Sequence, residues 1–196
     1  MYKIGITGGI GSGKSTASLF LKEHGAIVFN ADKEAKKHLK NTSTLQNKII
    51  EAFGQKVVEN NKLNLKKLAE VAFSNKLEQD ILNGLMWPEV FMLTEKAIQK
   101  AEKESVKLFV LDAAMIFEAN FEHMLDMTLL ISTRKNIRLT RALKRKNLPL
   151  EQIQNRMSLQ MKETKKKEKA DYIIENNASK ENFNKKLIHF YNTLPI

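Results

Sequence analysis

Five of the chain's eight glycines fall within the first 13 residues, and four of them lie in the run Gly8-Gly9-Ile10-Gly11-Ser12-Gly13-Lys14-Ser15. The spacing is G-x-x-x-x-G-K-[ST], the pattern of a phosphate-binding loop. Each residue type has a chemical reason to be there. Glycine lets backbone N–H groups curl around phosphate oxygens where a Cβ would obstruct them. A helix that opens near Lys14 aims its N-terminus at the same anion. Lys14 is placed for the β- and γ-phosphates, Ser15 offers a hydroxyl to Mg²⁺, and Thr16 lies within reach of the α-phosphate. Nucleoside-triphosphate binding is therefore expected from Gly9, Ile10, Gly11, Ser12, Gly13, Lys14, Ser15 and Thr16.

Two carboxylates follow at positions that suit a reaction at that loop. Asp32 comes just past the strand-like segment 26–29, and Asp112 ends the strand-like segment 106–111. In a parallel sheet, ligands collect at the carboxyl ends of the strands. A carboxylate on that edge can orient or deprotonate an attacking hydroxyl, which nominates Asp32 as the base. A helix N-cap is the structural alternative for Asp32. Asp112 suits a place near Mg²⁺. All five arginines (Arg134, Arg138, Arg141, Arg145 and Arg156) lie in one 23-residue stretch. On a continuous helix the first four fall within about 60° of one another. Guanidinium forks bind phosphate bidentately and keep their charge, so Arg141, Arg145 and Arg156 are candidate phosphate clamps. A solvated basic face and a nucleic-acid-binding stripe are the rival readings. Arg156 belongs to the next helical segment, which is placed to fold over a nucleotide as a lid.

The elements that must hold these groups read as α/β. Residues 2–6 form a strand, the glycine-rich turn follows, 14–23 form a helix and 26–29 a second strand, which implies a right-handed parallel crossover. Every segment from 31 to 104 carries helical spacing, in pieces at 31–39, 45–53, 65–73, 77–85 and 90–101. Strands are expected at 106–111, 127–131 and 172–174, and helices at 135–146, 150–160 and 180–191. The lysine-rich run 162–169 reads as a solvated segment. The expectation is one domain, with a five-stranded parallel sheet flanked by helices.

Composition narrows the class further. The chain has 196 residues, 33 basic and 22 acidic side chains, a net charge of +11 and no cysteine. No cysteine means no disulfide scaffold, no thiolate-bound zinc and no cysteine nucleophile. His24, His38, His123 and His189 share no metal-ligand spacing. No uncharged apolar run approaches the roughly 20 residues of a membrane span, and Met1-Tyr2-Lys3-Ile4 leads straight into strand-like sequence, which reads as a chain without a leader. The charge suggests nucleic acid, but the basic background is scattered lysine and no RNA- or DNA-binding signature accompanies it. The guanine-specifying N/T-K-x-D is absent, which argues against a GTPase. A small-molecule kinase is favoured over a nucleic-acid-binding ATPase.

The chain resembles the dephospho-CoA kinase family. The opening Ile4-Gly5-Ile6-Thr7-Gly8-Gly9-Ile10-Gly11-Ser12-Gly13-Lys14-Ser15-Thr16 is similar to that family's G-L-T-G-G-I-G-S-G-K-S-T. Asn30-Ala31-Asp32 falls on its D-A-D, and Leu111 to Glu118 on its D-x-P-L-L-F-E. Arg141 and Arg145 fit R-x-x-x-R, Arg156-Met157 with Gln160 fits R-I-x-x-Q, and Lys166, Ala170-Asp171 and Asn176 fit its tail. The chain departs from the family at Asn30, Lys36, Asn64, Leu65, Trp87, Ala114 and Ala178, mostly in the part that holds the acceptor.

The resemblance implies a P-loop fold in which residues 1–40, 105–135 and 168–196 form the core, 41–104 a helical acceptor insert and 136–167 a lid. It also implies transfer of the ATP γ-phosphoryl to the ribose 3′-hydroxyl of dephospho-CoA, with Mg²⁺. Catalytic roles then fall to Lys14, Asp32, Arg141 and Arg156, and nucleotide contacts to Arg145 and Asn176. Acceptor contacts fall to Lys36, Trp87, Asp112 and Glu118, and metal contacts to Ser15 and Asp112. A kinase for another nucleoside, nucleotide or small alcohol is the alternative. A cytoplasmic monomer or small homo-oligomer, without nucleic-acid or membrane partners, is expected.

Overall fold

Strand β5 (Leu108–Asp112) is buried along its whole length, and its side chains divide by parity between two cores. Leu108 and Val110 face one side of the sheet and Phe109 and Leu111 the other, as the period of two requires. Such a strand has to be interior and covered by helices on both faces. The computed structural model describes residues 1–196 and places β5 beside the central strand β1 (Tyr2–Thr7) in a five-stranded sheet. The other strands are β2 (Ile27–Asn30), β6 (Met127–Ser132) and β7 (Tyr172–Glu175), and the order is β2-β5-β1-β6-β7. Every pairing is parallel, with Ile4 opposite Val110 and Met127, and Asn30 opposite Asp112. The ends of β1, β2 and β5 thus open on one edge.

Helices cover both faces. One core packs Ile4, Ile6, Val110, Leu129 and Ile131 against α1 (Lys14–Glu23) and α9 (Lys180–Asn192). The opposite core packs Phe109, Leu111, Ile116 and Phe117 against α2 (Ala31–Asn41) and α5 (Lys76–Lys103). A third cluster, built from Leu39, Leu45, Ile49, Phe53, Val57, Leu68 and Ala72, joins α2 to α3 (Ser43–Phe53) and α4 (Leu65–Ala72). The remaining helices are α6 (Lys135–Lys144), α7 (Leu150–Ser158) and α8 (Glu163–Lys169).

Three sequence expectations need correction. The all-helical reading of 31–104 missed a two-residue-per-strand hairpin, β3 (Val58–Glu59) and β4 (Lys62–Leu63), turned by Asn60 and Asn61 at φ 49° and 58°. Paired residues with positive φ are what a tight hairpin turn demands, and asparagine tolerates them. The pieces 77–85 and 90–101 are one helix, α5, continuous through Pro88. Gly84, the residue whose carbonyl loses its donor, is exposed on the solvent side with Pro88, while Asn83, Val90, Thr94 and Ile98 stay packed inside. Packing on one face holds the helix where proline weakens the other. The lysine run 162–169 is α8, and Lys166 within it is 1% exposed.

The junction of β6 with β7 carries a polar lock. Asp171 accepts from the Thr128 N–H at 2.8 Å and from its Oγ1 at 2.7 Å, and the Asp171 N–H returns a bond to Thr128 Oγ1 at 3.1 Å. Hydrogen bonds to a charged group contribute about 1.5–3 kcal/mol net of the bonds to water that they replace. Asp171→Ala should therefore lower stability by about 1–3 kcal/mol in urea unfolding, while Asp171→Asn, which keeps one acceptor, should lose less.

Candidate active site

The turn after β1 is held in shape by contacts from outside it. Gly11 and Gly13 adopt φ of 80° and 104°, where a side chain is strained. Both are also crowded, Gly11 by the Arg138 backbone and Gly13 by the Asn176 side chain. The Ser12 carbonyl accepts from Asn176 Nδ2 at 2.8 Å and from Thr133 Oγ1 at 3.0 Å, and the Ser12 N–H closes onto the Gly9 carbonyl at 3.0 Å. Helix α1 begins at Lys14 with no side-chain cap and no acidic residue in its first turn. Its leading N–H groups and dipole are left for an anion. Ser15 and Thr16 are exposed in that first turn.

Lys14 connects this loop to both predicted carboxylates. Its ammonium hydrogen-bonds Asp112 directly and lies 4.0 Å from Asp32 Oδ2. Asp112 is 2% exposed at the end of β5 and takes a second bond from Asn30 Nδ2 at 3.2 Å. Asn30 Oδ1 meanwhile accepts from the Lys33 N–H at 2.8 Å and caps α2. Asn30 is thus the N-cap considered for Asp32, and Asp32 in the first turn is left free to face the loop. The amide at position 30 donates to Asp112 while still capping, which a carboxylate cannot do. The Asp32 side chain keeps 68% of its surface open to an incoming molecule. It nevertheless lies where the crowded cleft displaces bulk water. That desolvation raises its carboxyl above the ordinary carboxylate value, Lys14 opposes the rise and Asp112 adds to it.

Beyond Asp32 opens a cavity of about 690 Å³, lined mostly by apolar side chains and bordered by Ile10, Asp32, Lys36, Leu65, Trp87 and Arg156. A smaller hollow of about 390 Å³ between β7 and α9 holds none of the loop residues. Asn64 caps α4 through the Lys66 and Lys67 N–H groups at 2.8 and 3.0 Å, and the next residue, Leu65, turns into the cavity.

The arginine stripe is divided. Arg138 and Arg141 face the phosphate loop; Arg134 and Arg145 flank α6 at its exposed ends. Arg141 donates to the Asn176 carbonyl at 3.2 Å, bracing the residue that holds Ser12. Arg138, to which sequence reading assigned no role, donates from Nε to the Thr133 carbonyl at 3.1 Å and lies 3.7 Å from Glu163. Its guanidinium covers Gly9 so closely that a Cβ there would collide with it. Its place in the i, i+4, i+7 arginine series was the available signal. Arg156 lines the cavity, with its guanidinium 4.4 Å from the centre of the Phe73 ring and no carboxylate partner, and burial pulls its pKa below the ordinary guanidinium value.

Two other nominated residues are engaged elsewhere. The Asn176 amide is spent on Ser12 and Arg141. Glu118, expected to face the acceptor, is absent from the cavity lining. It accepts from the Met161 N–H at 2.9 Å and pairs with the buried Lys166 ammonium at 3.0 Å, and Lys166 also donates to the Ala114 carbonyl at 2.8 Å. This knot fastens the loop after β5 to the junction of α7 and α8.

A β1 strand feeding a phosphate loop, a lysine between two carboxylates and a neighbouring substrate-sized cavity define a P-loop kinase. The family model described as dephospho-CoA kinase matches residues 2–182, and the chain belongs to that family. It is 35% identical over 192 residues to the dephospho-CoA kinase of Salinibacter ruber, covering 97% of this chain and 96% of that one. Among solved structures it is similar to a Thermus thermophilus protein (TM-score 0.81, 30% identity, covering 100% of this chain and 98% of that one). It is also similar to dephospho-CoA kinase from Campylobacter jejuni (TM-score 0.68, 27% identity, 97% and 95% covered).

Removing one partner of a buried ion pair leaves the other charge uncompensated, which costs about 3–5 kcal/mol. Lys166→Met should show a loss of this order in denaturant unfolding. Adding Glu118→Leu should restore much of it, since the pair rather than either charge is then replaced.

Proposed function

We propose that the chain transfers the γ-phosphoryl group of ATP to the ribose 3′-hydroxyl of dephospho-CoA, giving coenzyme A and ADP. The observation that carries this reading is Lys14 set between Asp112 and Asp32, with Asp32 on the border of the apolar cavity. The phosphate loop and the leading amides of α1 hold the triphosphate. Lys14, moving its contact from carboxylate to phosphate, neutralises charge on the β- and γ-oxygens. Asp32 lies open toward the cavity side, where it orients the 3′-hydroxyl and accepts its proton as the new O–P bond forms and the β–γ bridging bond breaks. Arg138 and Arg141 steady the loop from the α6 side, and Arg156, a half-buried cation with no acid to pair with, suits an anionic group of the acceptor.

The Ser15 hydroxyl and the Asp112 carboxylate are hard oxygen donors that fit Mg²⁺, and no cluster of three acidic or histidine side chains exists to bind a metal alone. This donor set suits an ion carried in with the nucleotide; when bound, Mg²⁺ supplies charge neutralisation across the phosphates. Catalysis in this arrangement is positioning and electrostatics.

A coupled assay with ATP, Mg²⁺ and dephospho-CoA should give turnover, and inertness toward that acceptor would sink the reading. In the same assay Asp32→Asn should cut kcat by about 10²–10⁴, the range of a lost general base, and leave ATP affinity nearly unchanged. The base works only when ionised, and its carboxyl is raised. The wild-type rate should therefore fall with decreasing pH at a point above the ordinary carboxylate range, and that limb should disappear in Asp32→Asn.

A further inference from the structure

The cavity is lined by three amides with an unpartnered buried atom: Gln160, whose Oε1 lies beside Gly9 of the phosphate loop, and two others that phosphoryl transfer does not use. Gln79 and Asn83 project from consecutive turns of α5 into its lining and are 2% and 9% exposed. Gln79 Oε1 and Asn83 Nδ2 have no hydrogen-bond partner. A buried polar group without a partner is rare in a native fold and points to something that supplies one. Trp87 continues the same stripe one turn further, each step rising about 6 Å along the helix. The stripe therefore presents two free carboxamides and an indole within a surface that is otherwise mostly apolar.

We infer that Gln79 and Asn83 read the hydrogen-bonding edge of a 6-aminopurine on the acceptor, with Trp87 forming a wall of the same base subsite. A carboxamide offers a donor beside an acceptor, which matches the ring nitrogen and amino group of adenine. This assignment rests on the proposed reaction. There the hydroxyl addressed by Asp32 belongs to a ribose that carries its base directly, so the base has to lie in the cavity Asp32 borders. Amide groups on the flexible arm beyond the diphosphate are a second source of the same chemistry, but no short linkage confines them to this cavity. Hydrogen-bonding sites of this kind discriminate strongly against analogues that lack the matching group, because the site's own polar atoms are then left unpaired.

The test uses the full chain with dephospho-CoA and with its counterpart carrying unsubstituted purine, which lacks the 6-amino group. The wild type should favour dephospho-CoA by about a hundred-fold in kcat/KM. Gln79→Met and Asn83→Leu should each lower kcat/KM for dephospho-CoA about 10- to 100-fold, leave the KM for ATP and the melting temperature nearly unchanged, and bring the two acceptors close together. The inhibition constant of adenosine 5′-monophosphate, measured competitively against dephospho-CoA, should rise by a similar factor. A wild type that uses both acceptors equally overturns the inference, as do variants that keep the preference. A loss seen on dephospho-CoA but not on the monophosphate assigns the amides to the acceptor's arm and overturns the base reading. Should either variant fail to fold, the wild-type preference decides alone. An inert wild type overturns the reaction and this inference together, whereas an active wild type with unaltered variants overturns this inference alone.

Discussion

The Lys14 ammonium must reach a buried carboxylate at the end of β5 from the first turn of α1, and much of the site's geometry follows from that reach. Asp112 is nearly inaccessible, so an unpaired charge there would be strongly disfavoured. Lys14 and Asn30 are the two side chains that hydrogen-bond it and hold it in place. Lys14, a member of the phosphate loop, stands next to Asp112 because β1 and β5 are parallel neighbours in register, with Ile6 opposite Asp112. Asn30 reaches the same carboxylate because β2 pairs on the other side of β5 with Asn30 opposite Asp112. Strand order, loop and the two carboxylates are thus one constraint. Asp32 inherits its place from it, since Asn30 starts the helix on which Asp32 is the second residue.

The charge of the chain has meaning only when divided by environment. Most of the lysines contribute a field around the molecule that favours encounter with polyanions. Three of the desolvated basic groups show how differently such a group can act. Lys14 is paired with Asp112, Lys166 with Glu118, and Arg156 has only the face of Phe73. The first two are compensated within the protein. The third is the one basic group on the cavity wall that is both substantially buried and without an acid partner, so an anionic acceptor group improves its environment as well as the ligand's.

The glycine run, Lys14, Asp32, Asp112 and the five parallel strands were legible in the sequence because each rests on a local rule: loop spacing, carboxylates at strand ends, or short apolar runs. What was not legible depended on tertiary packing. The hairpin at Val58–Leu63 is too short to show alternation, and only its Asn60-Asn61 turn marks it. Pro88 made one helix look like two because its breaking tendency is local, whereas the packing that overrides it comes from the β5 side of the sheet. The lysine run 162–169 hid Lys166, since nothing in a string of lysines shows which one meets a buried glutamate. The arginine series suggested one face, but α6 is too short to carry all four. Only Arg138 and Arg141 stand over the loop, and the roles seen for them are to brace it.

The departures from the family pattern follow the same logic. Asn30 retains the capping oxygen of an aspartate and adds a donor that Asp112 uses. Asn64 likewise retains the cap on α4, while Leu65 beside it replaces a cation with apolar surface in the cavity wall. Trp87 adds aromatic area to that wall, and Lys36 keeps a charge at its rim without the planar fork of arginine. Two of these changes make the wall more apolar and none adds a fixed anion, so they move its selectivity toward shape and hydrogen bonding. In such a wall the unpaired amides of Gln79 and Asn83, with Gln160 on the phosphate-loop side, are polar groups with directional information to give, and Arg156 is the buried cation available to hold charge.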